Sequence, residues 1–546
     1  VIVLLNVKRS LSPREELLKI QKKIFAQNDA FIRGQESVRQ RGFDLYERQY
    51  KRRVRHYEKV STQEELLEAI LKSDIVYLGD YHTNNQSQRT LLRLLKLMVE
   101  KIPDLGLGLE LVSRKHQKFL DAYLAEKISE ETFLEKIRFR KYWYFDLWQN
   151  FKPIFDFARF HHLPVFAIEW SLAGEAPLQT RDRKSAGLIA SVLKTDPKMK
   201  LVVFAGDLHV APEHLPREVQ RELKKNKDSK KELIVYQNSE SIYWELAEDG
   251  VEDKVEIVRI SDREFCIINT PPIVWQQSYL NWLEHDEGSI DWDDAKHSFL
   301  VLLKQIADFL GIPIPPESEE VEVFTCGDLS FLKKLSDDGS FSKKEILQIK
   351  KQILASESYC IPQKKCVYLA NLSLNHASEE AAHYLKFLCS GEEAPRDPVD
   401  AFYANTLHEA LGFFGSKIIN HKRKCFHEKE YRGLVEYLRS AKVPRSRKQE
   451  LEIALLVLEH RELDKKGISV RSRKYFKSRP DLFFGVTHGL GYMLGDRLYY
   501  ALLAEKVSKE EIREAFCDPM KEPGAPFLLY KKLLNKVRGV KLPKRV

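Results

Sequence analysis

Ile75-Val76-Tyr77-Leu78-Gly79-Asp80-Tyr81-His82 and Leu201-Val202-Val203-Phe204-Ala205-Gly206-Asp207-Leu208-His209 decide how this chain is read. Each is a short apolar run, rich in β-branched and aromatic residues, that stops at Gly-Asp and delivers a histidine two residues later. Runs of that length and content have the character of buried parallel strands. Open α/β sheets bind ligands beyond the C-terminal ends of such strands. Two strands bringing Asp and His to one edge therefore predict a site there.

Outward from these runs, strand and helix patterns alternate. Ser61-Thr62-Gln63-Glu64 has the capping-box pattern and opens a helix through Leu71. Strands are expected at 75–78, 105–110, 164–168, 201–205, 233–236, 255–260 and 265–268, with helices such as 88–100, 151–161 and 185–193 between them. The alternation predicts an α/β fold, a mainly parallel sheet with helices on both faces. Three regions follow: a charged helical N-terminal extension over 1–56, the α/β domain over 57–275, and a mostly α-helical C-terminal region over 280–546, as one domain or two subdomains. Within the last, Leu407-His408-Glu409-Ala410-Leu411-Gly412-Phe413-Phe414-Gly415 is faintly echoed by Thr487-His488-Gly489-Leu490-Gly491-Tyr492-Met493-Leu494-Gly495. Glycines at that spacing read as close helix packing. His408-Glu409 begins like a zinc-protease helix, but Gly412 stands where the second histidine belongs, so that motif is rejected.

The 546 residues are 43% hydrophobic and 31% charged, ordinary for a globular protein. A net charge of +9 is modest for this length, and basic clusters such as Lys51-Arg52-Arg53-Val54-Arg55 and Lys422-Arg423-Lys424 read as solvated faces. No nucleic-acid motif accompanies them, so no nucleic-acid partner is expected. Seven scattered cysteines without a Cys-x-x-Cys pair predict reduced thiols. No run has the length of a transmembrane segment, and no signal peptide is visible, which gives a cytoplasmic protein as the expectation.

Two further carboxylates end strand-like runs: Glu110 after Gly106-Leu107-Gly108-Leu109, and Glu169 after Phe166-Ala167-Ile168. An acid in that position is costly to bury unless it is paired or metal-bound. In a parallel sheet Asp80, His82, Glu110, Glu169, Asp207 and His209 meet at one edge. Two histidines with carboxylates suit a divalent metal ion such as zinc or iron, and equally suit metal-free acid–base chemistry. Arg181-Asp182-Arg183-Lys184 precedes a helix and is read either as facing an anion or oxyanion or as a charged helix entry. No nucleophile elbow, Walker loop or dinucleotide fingerprint is present.

Taken in order, Gly79-Asp80-Tyr81-His82-Thr83, Gly108-Leu109-Glu110, the aromatic stretch from Tyr142 to Phe155, Arg181-Asp182-Arg183 and Ala205-Gly206-Asp207-Leu208-His209 resemble the ChaN-like haem-binding family. That family belongs to a wider group with Tiki proteases, TraB proteins and erythromycin esterases. The resemblance runs from about Tyr57 to Asn269. It implies a strand-end cleft that takes haem, iron or another small-molecule ligand, and a homodimer with cofacial haems. It selects His82, Glu110 and His209 as a metal set, with Asp80 where the family usually has Glu. Tyr81, His82, His209 and Tyr144 (with Tyr142) are the haem contacts it suggests, tyrosinate being a known axial ligand. If the domain is an enzyme, Asp80, His82, Glu110, His209 and Arg183 are its catalytic residues. The readings carried forward are a haem- or iron-binding protein, a metal-dependent hydrolase with Asp80 as base, and a non-catalytic scaffold.

Overall fold

A computed structural model describes residues 11–35, 42–139, 147–170, 176–225, 227–286, 292–325, 328, 330–337, 339, 341–354, 358–370, 373–391, 395–440, 447–471 and 473–543. The chain divides into two compact units, one of Phe25–Ser289 and one of Val1–Ile24 with Ile290–Val546.

The first unit is built on an eight-stranded sheet: β1 Lys59–Ser61, β2 Ile75–Asp80, β3 Leu105–Ser113, β4 Val165–Glu169, β5 Lys200–Gly206, β6 Glu232–Gln237, β7 Ile257–Ser261 and β8 Glu264–Ile267. Their order is β1-β7-β8-β6-β2-β5-β3-β4. From β8 to β4 the strands are parallel, as the alternation predicts. β7 runs antiparallel to both β8 and β1. Every residue of β2 and β3 is buried. A central parallel strand covered on both faces has no polar side, which is why these runs read as uninterrupted apolar sequence. On one face Val76, Leu78, Leu107, Leu109, Val202 and Phe204 pack with Leu91, Leu95, Phe151 and Phe155 from the covering helices.

β2 and β5 are direct neighbours, with Gly79 opposite Ala205 and Asp80 opposite Gly206. The twin Gly-Asp-x-His motifs therefore lie side by side but one residue out of step. Side chains alternate along a strand, so a one-residue slip sends equivalent residues to opposite faces. The two aspartates consequently meet different surroundings.

Several boundaries differ from the sequence expectation. β2 and β5 run on through Asp80 and Gly206, and β3 continues past Glu110 to Ser113, so Asp80 and Glu110 lie within buried strands. The first helix of the domain starts at Gln63, with the Thr62 hydroxyl accepting from the Glu65 N–H at 3.2 Å. Ser61, the expected cap, instead donates to the Glu65 carboxylate at 2.6 Å. The N-terminal extension forms helices Pro13–Gln35 and Phe43–Arg53. β1 was not expected; three residues are too few to show a period.

The second unit is mostly helical, with long helices at Leu374–Ser390, Pro398–Ile419 and Pro480–Leu503. It also holds an unexpected three-stranded sheet of β9 Glu322–Thr325, β10 Tyr359–Ile361 and β11 Cys366–Leu369. The glycine echo has the packing role expected of it. A Cβ on Gly491 would sit 2.7 Å from the Thr406 carbonyl, and one on Gly495 would collide with that of Ala410. Gly495→Ala should cost about 1–3 kcal/mol through this overpacking. Gly433→Ala, in open space on helix Glu428–Ser440, should gain up to about 1 kcal/mol from helix propensity. Urea denaturation of both variants tests the contrast, and equal effects would refute it.

Candidate functional site

The site begins where β2 ends. Asp80 is buried, 3% exposed, and accepts from His82 Nδ1 at 2.7 Å. Its second oxygen accepts from Gln88 Nε2 at 2.6 Å, and the same amide reaches the His82 carbonyl at 3.3 Å. Gln88 stands in the first turn of helix Asn85–Val99, whose cap Asn84 accepts from the Gln86 N–H at 3.3 Å. The turn carrying His82 is thereby tied to its own strand and to the next helix.

β3 contributes Glu110. One carboxylate oxygen accepts from the Gly206 N–H at 2.6 Å, and the other from Arg181 Nη2 at 2.6 Å. The same guanidinium nitrogen donates to Glu169 at the end of β4. His209, one short turn past β5, has Nε2 3.5 Å from Glu110 Oε1. Its Nδ1 donates to Asp182, whose other oxygen accepts from the Tyr46 hydroxyl at 2.8 Å. Each imidazole is thus held through Nδ1 by a buried aspartate: His82 by its strand neighbour, His209 by a helix residue.

Gly206 lies at the centre. The point where a Cβ would stand is 3.5 Å from His82 Nε2, 3.5 Å from Glu110 Oε2 and 3.6 Å from the His209 ring. Both imidazoles and the glutamate surround this bare stretch of backbone, and the missing side chain leaves the room between them.

Burial acts against every charge here. It pushes the Glu110 carboxyl up, but the charges of His209, Arg181 and His82 and the Gly206 N–H outweigh it and bring the group down to about 2. Burial lowers both imidazoles, yet Asp80 raises His82 and Asp182 raises His209 above the usual histidine value, with Glu110 adding to both. Asp207 moves the other way: burial and the Asp80 charge push it up to about 8. Its Oδ1 accepts no hydrogen bond among the described residues, and it fills the space where a Cβ on Gly79 would go.

The structure thus brings Asp80, His82, Glu110 and His209 together around Gly206. It leaves Arg183 on the exposed side of helix Leu178–Thr195; the guanidinium of the cluster is Arg181. Yet His82, Glu110 and His209 do not all place donor atoms within 4.8 Å of one another, the closeness a shared ion requires. Groups of His, Cys, Asp and Glu with donors within 4.8 Å of one another, among the described residues, lie elsewhere. Glu110 is already engaged by a fixed cation and a backbone N–H. The Tyr81 ring packs on Trp275 at 4.7 Å and Tyr279 at 6.4 Å between centroids. Tyr142 and Tyr144 fall outside the described residues.

Sequence reading missed the roles of Asp182, Tyr46 and Gln88. For Asp182 a signal existed: the helix buries Asp182, Ser185, Ala186, Ile189 and Leu193, a stripe at spacings of three and four that includes residue 182 and passes over 183. Tyr46 and Gln88 carry no comparable mark.

Over part of its sequence the α/β unit is similar to a known family. Residues 66–173 match the family model described as "Haem-binding uptake, Tiki superfamily, ChaN", which bears out the resemblance for this part of the chain. A solved structure described as "Cofacial heme binding to ChaN of Campylobacter jejuni" is similar at 16% identity, over 33% of this chain and 88% of that one. Its TM-score is 0.25, and a likeness of that degree carries no structural argument. No curated protein matches the chain. No helix among the described residues is long and apolar enough to cross a membrane.

Proposed function

We propose that the α/β unit binds haem at the C-terminal edge of its sheet, with His82 as the iron ligand and Tyr81, Trp275 and Tyr279 as the apolar wall beside it. The observation that carries this reading is the pair of aspartate-held imidazoles, Asp80–His82 and Asp182–His209. A carboxylate on Nδ1 fixes the ring's orientation and tautomer and makes Nε2 a better metal donor, and imidazole is a common axial ligand of haem iron. His82 is assigned the iron because its side chain is 30% exposed against 9% for His209, so a bulky ligand reaches it first. His209 then serves as the inner, positioning imidazole. When bound, the haem supplies an iron centre, and this chain's residues orient it and control the proton on His82. The metal-dependent hydrolase reading requires Glu110 to leave Arg181 and Gly206, which the geometry disfavours.

Haemin titration tests the proposal. The wild-type chain should give a saturable Soret shift, and His82→Ala should weaken binding at least tenfold with an altered band. Absence of saturable binding, or a spectrum and affinity that His82→Ala leaves unchanged, would refute it. The pH dependence has a defined sign. Asp80 stabilises the His82 imidazolium, so the proton competes with iron at a higher pH than for an ordinary histidine. Affinity should therefore fall on acidification with a midpoint above about 6.5, the ordinary value, and Asp80→Asn should move that midpoint down. Spectroscopic titration at stepped pH reads both.

A further inference from the structure

The helical unit contains a cluster that the haem reading leaves unused. The run His408-Glu409-Ala410-Leu411-Gly412 starts as a zinc-binding helix would and then has glycine where a second histidine belongs. The structure shows an imidazole occupying that space from another helix. A Cβ on Gly412 would collide with Nε2 of His383, which comes from helix Leu374–Ser390. Glu409 lies three residues before Gly412 on helix Pro398–Ile419, so the two share a face. Glu379 lies one turn before His383 on its own helix.

Glu379, His383 and Glu409 each place a donor atom within 4.8 Å of the other two. Glu379 is 5% exposed; Arg423 Nη2 donates to its Oε2 at 2.7 Å, while its buried Oε1 has no hydrogen-bond partner among the described residues. His383 Nε2 is likewise buried and has no partner among the described residues. Its other nitrogen, Nδ1, faces Glu380 Oε2 at 3.4 Å, which leaves the Nε2 lone pair turned toward the cluster when Nδ1 carries the proton. His488 Nδ1 backs Glu409 Oε2 at 3.0 Å. A buried polar atom left unpaired costs about 1–3 kcal/mol, and Glu379 Oε1 and His383 Nε2 are two such atoms facing one cluster. Three carboxylates, Glu379, Glu380 and Glu409, stand here against one guanidinium, Arg423.

We propose that Glu379, His383 and Glu409 hold a divalent first-row cation of the zinc, manganese or ferrous-iron type, with Glu380 and His488 as the outer groups that orient His383 and Glu409. Mixed carboxylate and imidazole donors suit that class of ion, and the outer partners are of the kind that orient metal ligands. The site lies in the helical unit and does not depend on the haem cleft.

The test uses the full chain, stripped with a chelator, dialysed, and titrated by calorimetry with Zn(II), Mn(II) and, without oxygen, Fe(II). At least one of these ions should bind at one equivalent per chain. The His82→Ala/His209→Ala double variant should retain that equivalent, whereas Glu379→Gln and His383→Ala should each weaken it at least tenfold. Circular dichroism and a thermal melt confirm that these variants fold. Should His383→Ala fail to fold, Glu409→Gln, which keeps size and shape, takes its place with the same expected loss. The proposal is overturned if none of the three ions binds saturably. It is also overturned if affinity is unchanged in Glu379→Gln and Glu409→Gln, or if the bound ion disappears with His82 and His209.

Discussion

Arg181→Ala is expected to lower the stability of the α/β unit by about 3–5 kcal/mol, the usual cost of leaving a buried charge uncompensated. Arg181 is the cation between two carboxylates, Glu110 and Glu169, and all three side chains are at most 11% exposed. Without it, two negative groups remain at the same strand edge with no water to screen them. Arg181→Lys should recover only part of the loss, because an ammonium lacks the guanidinium's planar fork of donors. Adding Glu169→Gln to Arg181→Ala should restore more, by removing one of the stranded charges. Urea denaturation followed through exchange protection of the β3 and β5 amides isolates this unit from the helical one. A midpoint unchanged in Arg181→Ala would show that the ion pair is not what holds the edge together.

Asp207→Asn should stabilise the same unit, by up to about 5 kcal/mol at pH 8, with a gain that shrinks as pH falls toward 4. Burial and the neighbouring Asp80 push the Asp207 carboxyl up to about 8, against an ordinary value of 3.8. In the unfolded chain the group ionises near its ordinary value, while the native state resists ionisation until about 8. Between those two values the native state binds more protons than the unfolded one, so stability drops as pH rises. Below the lower value both states are protonated and the residue makes no difference. Asparagine has nearly the same shape and no charge to suppress, so it should flatten this part of the pH profile. A wild-type profile that rises through the same window, or an Asn variant with an unchanged slope, would contradict the assignment.

Much of the architecture was legible because central parallel strands announce themselves. β2 and β5 are nearly pure apolar runs, and their Gly-Asp-x-His endings, with the acid that follows Gly106–Leu109, mark Asp80, His82, Glu110 and His209 for one edge. What escaped was of two kinds. Short elements such as β1 and β9 to β11 span three or four residues and carry no period to detect. Partners drawn from distant segments, such as Tyr46 on Asp182, depend on how helices dock, and side-chain type alone does not report that. Residue type alone does not separate Arg183 from Arg181; the buried face through Asp182 and Ser185 does. The twin motifs share one pattern, and the one-residue offset between β2 and β5 shows why Asp80 grips a histidine while Asp207 tucks beneath Gly79.

The pairing of β2 with β5 also sets a timetable. Ile75 and Leu201 are partners across the centre of the sheet, 201 − 75 = 126 residues apart along the chain. Contacts of that span form late, because the loop must close before any pairing repays it. On the ribosome, β2 and β3 emerge well before β5, so Asp80 and Glu110 wait without Gly206 and His209. A nascent chain halted short of residue 200 would therefore carry β2, β3 and β4 without the strand that sits between β2 and β3. The ligand edge closes only once β5 is in place, and a bound ligand would act on folding by locking that closure.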